Sequence, residues 1–193
     1  MRIHGDIKLI RRNDIEQRND YSRYREEIRE DFKAVCGYCG KSECVTTKGF
    51  EIDHFVPRKV DENKVNEYSN LVYCCFTCNR KKMGKWPTCN KNVPNDGTRG
   101  FVDPASEEYD LHIGRNDDGN IVYYTDVGKY MCIDAFKFNI RPMKEIWLYM
   151  ELVKRKKVLR NLMTLLTEED CRDYMEIDFQ IEELQKYLFN MRE

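Results

Sequence analysis

Two cysteine pairs, Cys36-Gly-Tyr-Cys39 and Cys75-Phe-Thr-Cys78, bracket 35 residues of chain. Each C-x-x-C pair can present two thiolates from one tight turn, and four thiolates complete a closed tetrahedral zinc site. Gly37 and Gly40 suit such knuckles, where backbone amides are expected to turn toward the sulfurs. Spacing selects Cys75 over its neighbour Cys74, because Cys74 and Cys78 would enclose three residues. Four sulfur ligands leave no open position for water, so this zinc is structural and reaction chemistry must lie elsewhere. Between the pairs runs Phe50-Glu-Ile-Asp-His54, which places Asp53 and His54 together. Of three histidines only His54 sits in a motif, and an imidazole of ordinary pKa, about 6.5, exchanges a proton near neutral pH. His4 and His112 have no such company and read as structural or exposed.

Basic residues gather nearby. From Asn70 to Gly100 six of them (Arg80, Lys81, Lys82, Lys85, Lys91, Arg99) face a single acid, Asp96. Arg58 and Lys59 follow His54 closely. Such a patch fits phosphate contacts, which supply salt-sensitive affinity without sequence preference. Trp86 reads first as a packing residue and second as a platform for a nucleobase. Cys44, Cys89, Cys132 and Cys171 lack a partnered spacing and read as packing residues or spare thiols.

The elements that must position these groups follow from periodicity. Ile15, Tyr21, Tyr24, Ile28 and Phe32 predict an amphipathic helix from about Asp14 to Val35. Phe50 and Ile52 alternate with Glu51 and Asp53 as in a short strand, and a helix is expected to open after the second knuckle. Asn90 to Pro104 reads as a connector. Asp110–Arg115 and Asn120–Thr125 flank the turn-forming Asn116-Asp-Asp-Gly119 and predict a hairpin. Val127 to Phe138 has helical spacing. Pro142 can open a helix that an apolar series, including Met163 and Leu166, carries to about Leu166. Thr167-Glu-Glu-Asp170 predicts the start of a last helix reaching about Met191. The expected organisation is a helical segment at 1–35, a zinc-bearing core at 36–100, and a hairpin with helices at 101–193.

Composition sets the outer limits. Apolar residues make up 41% of the 193, enough for a packed core, while 35% are charged, which favours long solvated helices. A net charge of −1 rules out a uniformly basic nucleic-acid coat. Nine cysteines without an apolar leader point to a reducing compartment, the cytoplasm, and no stretch approaches the roughly 18 apolar residues of a membrane span.

In order, Cys36-x-x-Cys39, Asp53-His54-x-x-Pro57, Asn70-Leu71 and Cys75-x-x-Cys78-Asn79-x-x-Lys82 resemble the HNH endonuclease family, or ββα-metal nucleases, in its zinc-bearing branch. The likeness covers about a quarter of the chain, and its specificity lies in the order and spacing of the pieces together. It implies an α+β fold: a ββα-metal (HNH) core stabilised by a four-cysteine zinc site, flanked by an N-terminal helix and a C-terminal hairpin plus helices. It also implies roles: His54 as general base, Asp53 and Asn79 on a divalent metal, and Asn70 holding the loop that bears the base. Lys82 would fix the closing helix or touch phosphate, within a nucleic-acid surface of Arg58, Lys59, Arg80, Lys81, Lys82 and Lys85. One carboxylate and one amide oxygen suit a single Mg²⁺ or Mn²⁺. Asn79 stands where many members carry His, which argues against a transition metal there. The implied activity is DNA hydrolysis, with RNA left open; the alternative is a zinc-stabilised binding module without catalysis. The helical tail is loosely similar to the HNH subunit of the Septu anti-phage system, which implies a partner ATPase.

Overall fold

The computed structural model describes residues 1–46, 48–162 and 167–190. At its centre strand β1 (Phe50–His54) pairs antiparallel with β2 (Leu71–Cys75), with Phe50 opposite Cys75 and His54 opposite Leu71. Helix α2 (Phe76–Lys82) follows β2 without a linker. Met83 then turns left-handed at φ +38°, followed by Gly84 at +69°, which ends the helix in one step. Two strands and a helix are therefore contiguous with the second cysteine pair. The fold is α+β, as the resemblance implies.

The N-terminal helix is shorter than periodicity predicts. A 3₁₀ turn (Tyr21–Tyr24) leads into α1 (Arg25–Asp31), and Asp20 caps the start by accepting from the Ser22 amide at 2.9 Å. Residues 14–20 are irregular: a capping aspartate at 20 offers the backbone a stop that the apolar spacing does not reveal. At the other end Lys33 and Ala34 take positive φ, +52° and +56°, and bring the chain round to the first knuckle. The preceding segment lies over the core instead. Arg11 donates to the Leu71 carbonyl (2.6 Å) and pairs with Asp103 (2.6 Å).

Beyond the connector, a helical turn α3 (Tyr109–His112) replaces the first half of the expected strand, leaving β3 (Ile113–Arg115) and β4 (Ile121–Tyr123) as the hairpin. Gly119 at φ +85° lies against the Trp147 indole, where a Cβ would come within 2.4 Å of the ring. Helix α4 (Asp126–Lys129) widens into a π-helical turn (Tyr130–Ala135). Helix α5 (Met143–Asn161) begins after Pro142 and packs against α6 (Glu168–Asn190). Thr167 and Asp170 cap α6 reciprocally: the Asp170 amide donates to Thr167 Oγ1 (3.2 Å) and the Thr167 amide to Asp170 Oδ2 (2.9 Å). Met163, Leu166 and Met191 of the sequence expectations lie outside the described residues.

Among the described residues one hydrophobic core runs through the N-terminal segment, the ββα unit and the C-terminal helices. Among the described residues no helix is long and apolar enough to cross a membrane.

Candidate functional site

The ligand atoms of Cys36, Cys39, Cys75 and Cys78 all lie within 4.8 Å of one another, and all four residues are buried. Cys39 Sγ and Cys75 Sγ are 3.9 Å apart. A tetrahedral zinc with bonds of about 2.3 Å sets an edge near 3.8 Å, so donor type and spacing fit zinc. Burial pushes the Cys36 and Cys78 thiols up, a cost that a bound cation offsets. Cys74 stays outside the cluster, with its sulfur toward the Glu51 carbonyl at 3.7 Å. The knuckle glycines have another reason than amide–sulfur bonding. Their amides go to the carbonyls of Tyr73 (2.9 Å) and Cys36 (2.8 Å). Gly37 leaves room for the Phe32 ring, which an added Cβ would meet at 2.6 Å, and Gly40 sits at φ +70°.

Two arginines, Arg115 buried and Arg141 half-buried, escaped sequence reasoning. Arg141 donates to Cys78 Sγ at 3.3 Å; burial opposes its charge, and the charge of Cys78, Cys39 and Cys75 outweighs that and holds it protonated. Arg115 donates to the carbonyls of Cys39 (2.7 Å), Ile3 (2.9 Å) and Gly119 (2.6 Å), tying the first knuckle to the N-terminus and the hairpin. Both residues are remote in sequence from the cysteines, and no motif marks them. His4 is structural: its Nε2 bonds the Gly37 carbonyl at 2.7 Å, and burial lowers its pKa to about 4.

Asp53 and His54, at the end of β1, share one cleft of about 350 Å³ with Asn79 of α2. The His54 Nε2 lies 2.8 Å from the Val65 carbonyl. A carbonyl only accepts, so Nε2 carries the proton and Nδ1 keeps its lone pair. Burial lowers the His54 pKa, and the charges of Arg58 and Lys82 add to that, so the ring is neutral at pH 7. Tyr21 packs edge-on against it at 4.7 Å.

Asn70 holds the loop that carries Val65. Its side chain accepts from the Val56 amide (2.8 Å) and donates to the carbonyls of Val56 (3.1 Å) and Lys64 (3.1 Å). The expected result for Asn70→Ala is a loss of about 2–3 kcal/mol, because three backbone groups, two of them buried, lose their partner at once. Chemical denaturation measures it; an unchanged midpoint would mean that the loop is held by other contacts.

Asp53 Oδ2 is engaged twice, by the Tyr38 hydroxyl (2.6 Å) and by the Lys82 ammonium (2.9 Å). Burial and the charge of Asp53 push the Tyr38 phenol well up, so it stays a donor. Lys82 is fully buried and also donates to the His54 carbonyl at 2.7 Å. It therefore clamps α2 to β1 and is out of reach of a phosphate, which corrects its place in the expected nucleic-acid surface. Asn79 Nδ2 donates to Glu51 Oε2 at 2.5 Å, leaving the amide oxygen as the free end of that side chain.

The basic run does not form one surface. Arg58, Lys59 and Arg80 rim the cleft. Lys81 lines a different groove, together with Thr77 one helical turn before it. Lys85 spends its ammonium on the Asp134 (3.3 Å) and Ala135 (3.1 Å) carbonyls. Trp86 is a core residue, flanked by Phe55 and Phe101 and donating to the Asn90 carbonyl. Sequence reasoning also missed Tyr21, Tyr38 and Glu51. Position inside the knuckle marks Tyr38, and two-residue spacing from Asp53 marks Glu51; nothing local marks Tyr21.

The order of these parts (cysteine knuckle, strand ending in Asp53-His54, anchored loop, strand, knuckle, helix) has a counterpart in a family model. Residues 36–85 match the HNH endonuclease model. No curated protein and no solved structure matches the chain. The matched segment is an HNH domain with the four-cysteine cluster of the zinc-bearing branch. It contains every strand and helix that carries the cleft except the Tyr21 segment, and it implies a nuclease-type, metal-dependent activity on nucleic acid. The likeness to a Septu subunit finds no support in these comparisons.

Proposed function

We propose that the chain is an endonuclease that hydrolyses DNA phosphodiester bonds with His54 as general base. The observation that carries this reading is the single cleft in which Asp53, His54 and Asn79 meet beneath Arg58, Lys59 and Arg80. The three cations hold the phosphate through charge-assisted bonds that read no base. Nδ1 of His54 takes a proton from the water that attacks phosphorus. The new P–O bond forms as the bond to the 3′ oxygen breaks, and that oxygen is protonated from solvent. The Val65 carbonyl, held through the Asn70 loop, keeps the ring oriented and favours the imidazolium as it forms.

Asp53 and Asn79 would hold one Mg²⁺ or Mn²⁺. The donor set fits a hard cation, since Tyr38 and Lys82 take up Oδ2 of Asp53 and leave Oδ1, and Glu51 takes the amide nitrogen of Asn79 and leaves its oxygen. When bound, such an ion offsets negative charge gathering on the phosphate and leaving oxygens.

The test uses zinc-loaded protein in buffer free of other divalent ions, with supercoiled, linear and single-stranded DNA and RNA. Cutting should appear on adding Mg²⁺ or Mn²⁺, and Asp53→Asn should raise the metal concentration for half-maximal rate by about tenfold or more. Absence of product on every substrate with every metal would leave a zinc-stabilised binding module. An ATPase partner in a cytoplasmic anti-phage complex belongs to the same proposal, and a pull-down against the products of neighbouring genes tests it.

A further inference from the structure

Each cysteine knuckle is met by an arginine from beyond residues 36–85. Arg115 donates to the Cys39 carbonyl, whereas Arg141 Nη1 donates to the Cys78 sulfur itself at 3.3 Å. The chain presents Arg141 for a local reason. Proline disfavours helical backbone at the residue before it, and Arg141, followed by Pro142, stands extended at φ −113°, ψ 150° between the 3₁₀ turn Phe138–Ile140 and α5. Its guanidinium lies over the Phe138 ring at 5.2 Å, and Nη1 also reaches the Phe136 carbonyl at 3.4 Å. With zinc bound, four thiolates keep a net charge of about −2, which is costly in a buried cluster unless it is paired. The amides of Gly37 and Gly40 do not spread that charge, because both are spent on backbone carbonyls.

We propose that Arg141 belongs to the metal centre: its guanidinium offsets the charge on Cys78, slows the loss of zinc and shields that sulfur from electrophiles. A hydrogen bond from a cation draws electron density from the thiolate, so the sulfur remains a ligand but attacks carbon more slowly. Arginine suits the position because its charge is spread over a planar fork that serves a sulfur, a carbonyl and a ring face together. A side chain that only pinned the start of α5, through Phe136 and Phe138, would need no charge at the sulfur. Its loss would expose the four cysteines alike. Zinc retention thus depends on a residue outside the HNH domain, whatever reaction the cleft performs.

The test uses the full chain loaded with one zinc and mixed with excess iodoacetamide beside a chromogenic chelator. Each alkylation joins a cysteine sulfur to the reagent's carbon, expels iodide and removes a zinc ligand. The chelator reads zinc release, and peptide mass spectrometry reads the order in which the cysteines react. In the wild-type chain Cys78 should be the last of the four, a result that tests the proposal even if a variant fails to fold. Arg141→Gln, which keeps a donor without the charge, should release zinc about tenfold faster or more, the scale on which outer-shell partners act, with Cys78 moving to the front. Arg141→Lys should bring the rate and the order most of the way back. Circular dichroism of each zinc-loaded variant reports folding before the reagent is added. Equal release from wild type and Arg141→Gln, a lysine variant as fast as the glutamine one, or faster release with all four cysteines reacting alike would each overturn the proposal.

Discussion

His54→Ala is expected to lower DNA cleavage by about 10²–10⁴-fold, the range that a positioned general base contributes, while zinc content and melting behaviour stay close to wild type. The size of the effect follows from the lack of a substitute. Asp53 is committed to Tyr38 and Lys82, and Glu51 holds the amide of Asn79 and approaches Arg80 at 3.5 Å. Among the described residues His54 brings the only imidazole to the cleft, with its Nδ1 lone pair open. Stability should fall by only about 1 kcal/mol, because the side chain makes one hydrogen bond, to the Val65 carbonyl, beside its edge contact with Tyr21. The clamp beneath it uses the backbone carbonyl of residue 54, not the side chain. Cleavage kinetics run beside zinc quantification check both halves. Equal rates for variant and wild type would remove His54 from the reaction, and a variant that lost its zinc as well would say only that the fold had failed.

The second large effect concerns the sulfur cluster. Cys75→Ser is expected to yield a chain without stoichiometric zinc and without a cooperative unfolding transition for the HNH domain. Structural zinc contributes about 10–16 kcal/mol in small metal-dependent folds, and a whole domain is stable by only about 5–15 kcal/mol. Loss of one ligand is thus comparable to the entire margin. The cluster joins the turn before β1 to the junction of β2 and α2, so the strand pair that carries Asp53 and His54 loses its closure. Cys74→Ser is the matched control. That thiol is buried next to the cluster but bonds only the Glu51 carbonyl, so its variant should keep one zinc per chain. Should Cys75→Ser retain equimolar zinc and an unchanged transition, the cluster would not be what holds the domain together.

Local pattern was informative wherever one short segment supplied the whole device. The C-x-x-C pairs, the strand ending in Asp53-His54 and the reciprocal cap at Thr167 and Asp170 each need only a few consecutive residues, and each is found as the pattern predicts. Periodicity misled where a polar residue competed for the backbone, as at Asp20, whose cap starts the helix late. Counting basic residues along the chain likewise put Lys81, Lys82 and Lys85 in one surface, although successive helical positions point about 100° apart and only the packing tells which of them is covered.

The residues alone determined the donor types and their order along the chain, hence the four-sulfur cluster and a carboxylate–imidazole pair set between its halves. The tertiary structure decided which cations meet solvent, how the ring of His54 is oriented, and which distant groups (Tyr21, Arg115, Arg141) complete the surroundings. The physical reason is that ligand identity is a local chemical property, whereas burial and hydrogen-bond orientation arise only when segments far apart in sequence enclose a shared volume.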